Sequence, residues 1–359
     1  MGAFDSTAFD THEGVHYFND PATGLRAIVA IHSTALGPAA GGCRMWSYAS
    51  DEDALTDALR LSRGMSYKNA VAGLPLGGGK AVILRDPRHP PTPALFEAFG
   101  RSVEQLGGRY ITAEDVGVSV GDMEAVARST RYVCGLSQRN DGSAGGDPSP
   151  RTARGVFVGL RAAVRTRLGR EDLDGLRVAV QGLGHVGMRL CGELHAAGAR
   201  LAVADLDPEA VAQAGARFGA RAVPAERILF EDVDVIAPCA LGAVLSQQTI
   251  PHLHARIVAG AANNQLATEA DGERLLERGI LYAPDYVINA GGIINAAAEY
   301  LHSMDAAQVD RKVEAIADTL ADIFERSRAT GVPTHRVADA MARQRLDAAA
   351  ARAPHRVAA

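Results

Sequence analysis

Hydrophobic and polar positions along the chain follow two periods, which predict strands and helices in turn. The run 25–32 (LRAIVAIH) is apolar and rich in β-branched residues, which is typical of a strand. In the stretch 51–72, apolar residues recur every three or four positions, which indicates an amphipathic helix. By the same criteria we predict further strands at 80–84, 109–112, 176–180, 201–204, 233–237, 256–259 and 281–283, and further helices at 93–106, 152–168, 306–328 and 335–359. This alternation predicts an α/β fold with sheet cores.

The apolar periodicity stops at 140–150 (NDGSAGGDPSP), where Gly, Pro, Ser and Asp dominate. A chain of 359 residues is long enough for about two domains. We therefore predict two domains, 1–145 and 146–333, with a C-terminal helix of about 334–359 that folds back on the first domain.

Composition and charge exclude several classes of protein. The chain is 47% hydrophobic and 22% charged, which is typical of globular proteins. The net charge is −5 and Lys and Arg form no cluster, so nucleic acid and anionic membranes are not expected partners. No apolar run is long enough to span a bilayer, and the N-terminus has no apolar leader. The four cysteines are scattered, which predicts reduced thiols in a cytoplasmic protein without a metal site.

A glycine motif opens the second domain. The predicted strand 176–180 runs into QGLGHVG, where Gly182, Gly184 and Gly187 form GxGxxG ahead of a helix. Glycines at these positions permit a tight turn, close approach of backbone N–H groups to a pyrophosphate, and close packing of helix on strand. Asp205 follows about twenty positions later, where a carboxylate accepts hydrogen bonds from ribose hydroxyls and repels a 2′-phosphate. We predict a doubly wound Rossmann domain that binds NAD; the alternative is a glycine-rich turn that serves only packing.

Two lysines and one acid in the first domain are candidates for catalysis. Lys80 follows three glycines, 77–79, which we predict to form a sharp turn or to approach a ligand. The alternative is an ordinary turn into a strand, with the lysine pointing to water. Asp115 follows an apolar strand, and strand alternation predicts that Glu114 points the other way. Lys68 lies on the predicted helix 51–72.

These residue types suit the oxidation of an amine beside a carboxylate. That reaction needs a cation for the carboxylate, a base for water and a group that carries protons to and from the nitrogen. Two lysines in an apolar cleft can divide the first two tasks, because burial beside a like charge favours the neutral amine that a base needs. Hydride then passes to a nicotinamide held by the second domain, so we expect the active site in the cleft between the two domains.

Small and polar residues follow the later predicted strands of the second domain. Ligands bind beyond the carboxyl ends of the strands in doubly wound sheets, so Asn263, Asn264 and Asn289 are candidates for contacts with nicotinamide or substrate. The alternative is that they cap turns or helices, a common role of Asn.

The sequence resembles the leucine/phenylalanine/valine dehydrogenase branch of the Glu/Leu/Phe/Val amino-acid dehydrogenase family. The resemblance covers nearly the whole chain and rests on the segments LGPAAGGCRMW, RLSRGMSYKNA, LGGGKAVI, GRYITAEDVG, QGLGHVG, APCALGA, VAGAANNQL and YAPDYVINAGG. It implies reversible, NAD-dependent oxidative deamination of a hydrophobic L-amino acid to a 2-oxo acid and ammonia. It also implies a homo-oligomer and a hinge closure between a substrate domain and the NAD domain.

The resemblance further implies roles for individual residues. Lys68 would hold the substrate carboxylate with help from Gly42 and Asn289, Lys80 would be the general base that activates water, and Asp115 would be the proton shuttle. Residues that match the family's cofactor site are Thr152, Gly182, Gly184, His185, Val186, Gly187, Asp205, Cys239, Ala240 and Asn263.

Two departures from the family pattern bear on the substrate. Ala40 stands where a leucine is usual, and Ala296 stands where the leucine enzymes tend to carry valine. Both changes would enlarge a pocket whose other lining residues would be Met65, Ala113, Cys134 and Ile293. A wider pocket fits an aromatic side chain better than leucine, although bulk elsewhere would cancel the effect. Glutamate is not expected, because its second carboxylate needs a cation and this lining is apolar.

Two other functions are compatible with the sequence. One is a catalytically silent, NAD-binding or scaffolding relative, which has no chemical need to keep Lys68, Lys80 and Asp115. The other is a biosynthetic dehydrogenase that makes a 2-oxo acid from an aromatic amino acid, with the same fold and site.

Overall fold

The computed structural model describes residues 2–88, 90–136, 146–240, 242–301 and 304–352. By its internal contacts the chain divides into two compact units. The first comprises 1–147, 295–306 and 341–359, and the second comprises 148–294 and 307–340. The prediction placed 295–306 in the second domain and began the returning C-terminal segment at about 334. By internal contacts, 295–306 belongs to the first unit and the returning segment begins at 341. The composition of the chain does not change at these points, so the sequence does not indicate them. Most of the predicted boundary stretch, 140–145, lies outside the described residues.

The first unit is built on a five-stranded mixed sheet. Its strands are β1 (Gly14–Asp20), β2 (Leu25–Ser33), β3 (Ala39–Trp46), β4 (Gly77–Leu84) and β5 (Tyr110–Glu114). They lie in the order β1-β2-β4-β3-β5. Strands β3, β4 and β5 run parallel, whereas β2 is antiparallel to both β1 and β4. The parallel strands therefore end at one edge of the sheet.

Helices cover both faces of this sheet. They are α1 (Asp51–Val71), α2 (Pro93–Gln105) and α3 (Val120–Ala127). Alternate residues of β2 face opposite sides, as strand geometry requires. Ile28 and Ala30 pack with Leu59 of α1, whereas Val29 and Ile31 belong to the cluster of Phe96, Phe99 and Met123 from the other two helices. The helix α1 begins at the Ser50 cap, whose side chain accepts from the Asp53 N–H.

The prediction of a turn at the three glycines was wrong. Gly77, Gly78 and Gly79 are buried residues of β4 with no positive φ, so the chain is extended there. A Cβ atom on Gly78 would collide with the backbone and hydroxyl of Ser66 in α1. The glycines are needed because helix and neighbouring strands approach this strand too closely for side chains. Two strands of this unit, β1 and β3, were also missed; β3 is rich in Ala and Gly and lacks the β-branched residues that mark strands.

The second unit contains a six-stranded, fully parallel sheet. Its strands are β6 (Arg177–Gln181), β7 (Arg200–Ala204), β8 (Arg221–Ala222), β9 (Val235–Pro238), β10 (Ile257–Val258) and β11 (Leu281–Tyr282). They lie in the order β11-β10-β9-β6-β7-β8. Numbered within the sheet from the other edge, this is 3-2-1-4-5-6, the Rossmann order. The predicted α/β fold class with a doubly wound domain is confirmed.

The remaining helices follow in chain order: α4 (Ser149–Leu168), α5 (His185–Ala196), α6 (Pro208–Phe218), α7 (Ala270–Glu277), α8 (Asp285–Ile288), α9 (Gly291–Leu301), α10 (Ala306–Glu314), α11 (Ile316–Thr330) and α12 (Thr334–Arg352). The single helix predicted at 306–328 is in fact two, α10 and α11. They meet at Ala315, whose carbonyl accepts a hydrogen bond from the Thr319 hydroxyl at 3.2 Å. The same carbonyl also accepts the Thr319 N–H at 3.1 Å, and an added side-chain bond of this kind bends helices.

Two features of the described residues bear on membrane insertion and on the cysteines. None of the helices in this part of the chain is long and apolar enough to cross a membrane. All four cysteines lie in it, and all are free thiols.

Candidate active site

The C-terminal half of α1 packs closely on the glycine-rich parts of β3 and β4. A Cβ atom on Gly41 would lie 3.2 Å from Cγ of Met65 and would collide with the carbonyl oxygen of Gly79. Lys68 follows Met65 by three residues, which places it on the same face of the helix, in its last turn. The glycines thus allow α1, the helix that carries Lys68, to pack closely on the sheet.

Lys80 forms a buried ion pair with Asp115. Its Nζ lies 2.8 Å from Oδ2 of Asp115, and only 5% of Lys80 is exposed. Lys80 is on β4 and Asp115 follows β5, and β3 lies between these two strands. The pair therefore spans β3, where Gly42 leaves the necessary room, because a Cβ atom there would lie 2.8 Å from Cβ of Asp115. The structure brings Lys80, Asp115 and Gly42 together, and their roles stay predictions.

Arg44 is a second cation on the same carboxylate, and the sequence analysis missed it. Its Nε donates to Oδ2 of Asp115 at 3.0 Å, and its Nη1 donates to Asp57 at 3.0 Å. The Tyr48 hydroxyl donates to the same Asp57 oxygen at 2.5 Å. One signal was available: Arg44 stands two positions after Gly42, which puts both on one side of a strand. It could not be used because GGCRMW was not recognised as a strand.

The two cations determine the charge of Asp115. Burial alone would raise the pKa of this carboxyl, but the positive charges and hydrogen bonds of Lys80 and Arg44 lower it below its ordinary value. Asp115 is therefore ionised at neutral pH. A carboxylate in this state can accept a proton from an ammonium group.

Glu114 has different neighbours from Asp115. Its pKa is raised by burial, and further by the negative charges of Asp147 and Glu299. Glu299 in turn accepts hydrogen bonds from the backbone N–H groups of Gly135 and Leu136, at 3.0 and 3.1 Å. Glu114 and Asp115 thus have different neighbours, as strand alternation predicts.

Several predicted pocket residues lie near these strands. Ala40 is buried in β3, Ala113 is in β5, and Met65 touches the glycines of β3. Cys134 lies beside the end of β5, because its N–H and Sγ both donate to the carbonyl of Thr112. Burial raises the pKa of the Cys134 thiol to about 12, so it is a neutral, apolar group at pH 7. Ala296 and Ile293 lie on α9. Whether the two alanines enlarge a substrate pocket stays a prediction.

The glycine motif forms a tight turn between β6 and α5. Gly182 has φ +97°, and a Cβ atom there would lie 2.7 Å from the backbone nitrogen of Ala240. A Cβ atom on Gly187 would collide with the carbonyl oxygen of Gly182. Gly184 caps α5 without a side-chain hydrogen bond and is exposed, with nothing within 4 Å of a Cβ atom. The turn is therefore tightly packed at Gly182 and Gly187. It is open at Gly184, where backbone N–H groups at the start of α5 can bind a phosphate.

Asp205 lies at the end of β7, next to this turn. Its Oδ2 accepts from the Leu183 N–H at 2.5 Å and its Oδ1 from the Asp207 N–H at 2.9 Å. Burial raises the pKa of Asp205, but these backbone hydrogen bonds outweigh it and leave the pKa below its ordinary value. Carboxylate oxygens have further lone pairs, so an ionised Asp205 can still accept from ribose hydroxyls. The turn and Asp205 together fit a dinucleotide.

The remaining predicted cofactor contacts lie at the ends of neighbouring strands. Cys239 follows β9, and its N–H donates to the Gln181 carbonyl of β6 at 2.7 Å. These are the strands at which the order of the sheet reverses, where doubly wound folds bind ligands. Asn289 is 4% exposed and donates from Nδ2 to Oδ1 of Asn263 at 2.7 Å, so two predicted residues hold each other. The hydroxyl of Thr152 donates to the Pro148 carbonyl at 2.9 Å.

Family models match two long parts of the chain. Residues 12–132 match the Glu/Leu/Phe/Val dehydrogenase dimerisation domain, and residues 209–354 match the Glutamate/Leucine/Phenylalanine/Valine dehydrogenase model. Enzymes of this family generally depend on NAD or NADP. Within the described residues, no group of three or more His, Cys, Asp or Glu side chains could hold a metal ion.

Individual relatives match almost end to end. The chain is 50% identical to a leucine dehydrogenase of Geobacillus stearothermophilus over 336 residues, which cover 94% of this chain and 91% of the relative. It is 47% identical to a valine dehydrogenase of Streptomyces albus over 344 residues, covering 95% and 94%. The crystal structure of L-tryptophan dehydrogenase from Nostoc punctiforme is similar with a TM-score of 0.83 at 44% identity, covering 94% and 97%. The resemblance inferred from the motifs is confirmed: the chain is an amino-acid dehydrogenase and belongs to the Glu/Leu/Phe/Val dehydrogenase family.

Proposed function

We propose that this protein catalyses the reversible, NAD-dependent oxidative deamination of a hydrophobic L-amino acid to the 2-oxo acid and ammonia. The observation that carries the proposal is the buried ion pair between Lys80 and Asp115. Burying charges is costly unless they are paired, and a chain that needed only a fold would be served as well by apolar residues of similar volume. The pair therefore favours an active enzyme over a catalytically silent relative.

The cofactor is proposed to be NAD rather than NADP. NAD, when bound, supplies the acceptor for the hydride. The residues that would hold it are Gly182, Gly184 and Gly187, whose turn leaves backbone N–H groups for the pyrophosphate, and Asp205 for the ribose hydroxyls. The ionised Asp205 carboxylate would repel a 2′-phosphate, which supports the choice of NAD.

In the overall reaction, the amino acid, NAD⁺ and water become the 2-oxo acid, ammonium, NADH and a proton. We propose that the catalytic residues share the proton transfers of this reaction. Lys68 holds the substrate carboxylate through its positive charge. Asp115 takes a proton from the substrate ammonium, so that the α-hydrogen can leave with its electron pair and an imine forms. Lys80 is the base that takes a proton from the water as its oxygen adds to the carbon of the protonated imine. Asp115 then returns a proton to the nitrogen. As the C–N bond breaks and the C=O bond forms, the hydroxyl proton passes through Asp115 to the departing ammonia, which leaves as ammonium, and Lys80 gives its proton to solvent.

The substrate is proposed to be a branched-chain or aromatic amino acid. Relatives that match nearly the whole chain are named as leucine, valine and tryptophan dehydrogenases. None of the proposed lining residues (Ala40, Met65, Ala113, Cys134, Ile293 and Ala296) is a cation that could pair with a second carboxylate, which argues against glutamate. Ala40 and Ala296 in place of larger residues favour an aromatic substrate, but a methylene or two is worth only about 1–3 kcal/mol, so overlapping substrates are expected. If the enzyme supplies an aromatic 2-oxo acid for biosynthesis, its substrate profile should favour aromatic amino acids.

Further properties follow from the same proposal. We propose a homo-oligomer, because the model that matches residues 12–132 describes a dimerisation domain. The oligomer is proposed to act in the cytoplasm. Light scattering of the purified protein would reveal a monomer if the first proposal is wrong.

The first experiment is NADH formation at alkaline pH with leucine, valine, isoleucine, phenylalanine, tryptophan, tyrosine and glutamate, each tested with NAD and with NADP. Turnover of one hydrophobic group with NAD supports the proposal and decides between aliphatic and aromatic substrates. Turnover of glutamate alone contradicts the substrate class. Tight NADH binding without any turnover would favour the catalytically silent relative.

A further inference from the structure

The carboxylate of Asp115 receives both of its cations on one oxygen. Lys80 Nζ lies 2.8 Å and Arg44 Nε 3.0 Å from Oδ2. Within the described part of the chain, Oδ1 of Asp115 accepts no hydrogen bond. One oxygen is thus fixed by the protein and the other remains available to a substrate nitrogen.

Arg44 is itself held from the opposite side. Its Nη1 donates to Asp57 of α1, and the Tyr48 hydroxyl donates to the same Asp57 oxygen. Arg44 therefore links the strand β3 to the helix that carries Lys68. All of these side chains are partly or fully buried, so solvent screens their interactions only weakly.

We propose that Arg44 is a positioning residue for the deamination: it is the permanent counter-ion of Asp115, turns Oδ1 toward the substrate amine and allows Lys80 to change its charge during turnover. This inference rests on the proposed function. No role had been expected for Arg44 from the sequence.

The negative charge of Asp115 remains when Lys80 gives up its proton. If Lys80 were the sole partner of Asp115, a neutral Lys80 would leave a buried carboxylate without a counter-ion, which is strongly unfavourable. A guanidinium does not deprotonate in proteins, so Arg44 neutralises Asp115 in both states of Lys80. A lysine at this position would supply the charge but not the two forked donors that reach Asp115 and Asp57 together.

The test compares Arg44→Gln, Arg44→Lys and wild type by the pH profile of kcat, with NADH affinity and thermal unfolding measured alongside. In Arg44→Gln the carboxyl of Asp115 loses a cation, so its pKa rises and the acidic limb of the profile should move to higher pH. We expect kcat at neutral pH to fall by about 10²-fold, the scale of a general acid–base contribution, with NADH affinity changed less than about twofold. Arg44→Lys should recover part of the loss.

Two further variants keep the outcome decisive. Asp57→Asn removes the outer anchor of Arg44 without touching Asp115, and it should move the acidic limb in the same direction by less. If Arg44→Gln does not fold, Asp57→Asn tests the inference in its place. Arg26 pairs with Asp51 in an exposed ion pair of the same unit, so Arg26→Gln is a matched control that should leave kcat and its profile unchanged.

The result that would overturn the inference is an unchanged pH profile in both Arg44→Gln and Asp57→Asn, with activity lost only in proportion to the folded fraction. Arg44 would then serve only to join α1 to the sheet. An inactive wild type, tested across the substrate panel, would overturn the proposed function and this inference with it. An active wild type with unaltered variant profiles overturns the inference alone.

Discussion

Ser66 of α1 lies directly against Gly78 of β4, so closely that a Cβ atom on Gly78 would collide with the backbone nitrogen, the Cα and the hydroxyl oxygen of Ser66. Ser66 is fully buried, and its hydroxyl shares a hydrogen bond of 2.8 Å with Nδ1 of His32 on β2. The helix therefore cannot move away from the sheet without breaking this bond to β2. The position of Lys68, two residues after Ser66, depends on the absence of a single methyl group in β4.

Gly78→Ala should lower both stability and activity. The new methyl group forces α1 away from β4, and overpacking of this kind typically costs about 1–3 kcal/mol. Because the displaced segment carries Lys68, we expect the KM for the amino acid to rise more than the dissociation constant of NADH. Urea unfolding and steady-state kinetics measure the two effects.

Gly64→Ala is the matched control for Gly78→Ala. Gly64 lies on the same helix, is exposed, and has nothing within 4 Å of a Cβ atom. Alanine there should stabilise the helix by about 0.5–1 kcal/mol and leave KM unaltered. If Gly78→Ala behaves like this control, the close approach of Ser66 does not constrain the site.

Lys80→Ala and Lys68→Ala should have different kinetic effects. Loss of the Lys80 amine removes the proposed base, so turnover should be abolished while NADH still binds. Loss of the Lys68 charge should chiefly raise the KM for the amino acid, because it removes the proposed partner of the carboxylate. Wild-type turnover in Lys80→Ala would exclude Lys80 from the mechanism, and an unchanged KM in Lys68→Ala would place the carboxylate elsewhere.

Asp205→Ala should weaken the preference for NAD over NADP. The variant removes the negative charge that would repel a 2′-phosphate, so the ratio of kcat/KM for the two cofactors should fall. Asp207→Ala is the control: Asp207 caps α6 by accepting from the Glu209 N–H, so its loss should cost about 1 kcal/mol in stability without altering cofactor preference. Equal ratios in Asp205→Ala and wild type would mean that another residue discriminates.

Stability should fall in mild acid because of His32. Burial, followed by the nearby charge of His12, lowers the pKa of His32 from 6.5 to about 4. The unfolded chain therefore takes up a proton near pH 6.5 while the folded protein resists until about pH 4. The stabilisation is complete above pH 6.5 and is lost as the pH falls toward 4, with a cost of about 2 kcal/mol at pH 5 from this residue.

Urea unfolding of wild type and His32→Gln at pH 7 and pH 5 checks this expectation. His32→Gln should be less stable than wild type at pH 7, because its hydrogen bond with Ser66 is altered, but it should lose less stability between the two pH values. The rings of His12 and His32 lie 4.8 Å apart, and burial also lowers the pKa of His12, so part of the acid sensitivity should remain in the variant. Parallel pH dependence in both proteins would show that His32 does not titrate as proposed.

Local pattern predicted those elements whose residues carry a periodic or compositional signal. The helix α1 and the strands β2, β6 and β7 lie within about a residue of their predicted bounds, because apolar spacing and β-branched residues mark them. The strand β3 begins with Ala and Gly and was not predicted. Its glycines are required by close contacts with residues distant in sequence, and local pattern does not reveal such contacts. For the same reason the three glycines of β4 were mistaken for a turn.

The sequence by itself determined the alternation of strands and helices, the glycine turn followed by Asp205, and the identity of Lys68, Lys80 and Asp115 as candidates, because these depend on residue types at short, fixed spacings. Only the tertiary structure decided that Arg44 shares an oxygen of Asp115 with Lys80, that Gly42 makes room for this pair, and that Ser66 lies against Gly78. These relationships join residues on different strands and helices. Their distances depend on how the elements pack, and no local spacing in the chain encodes them.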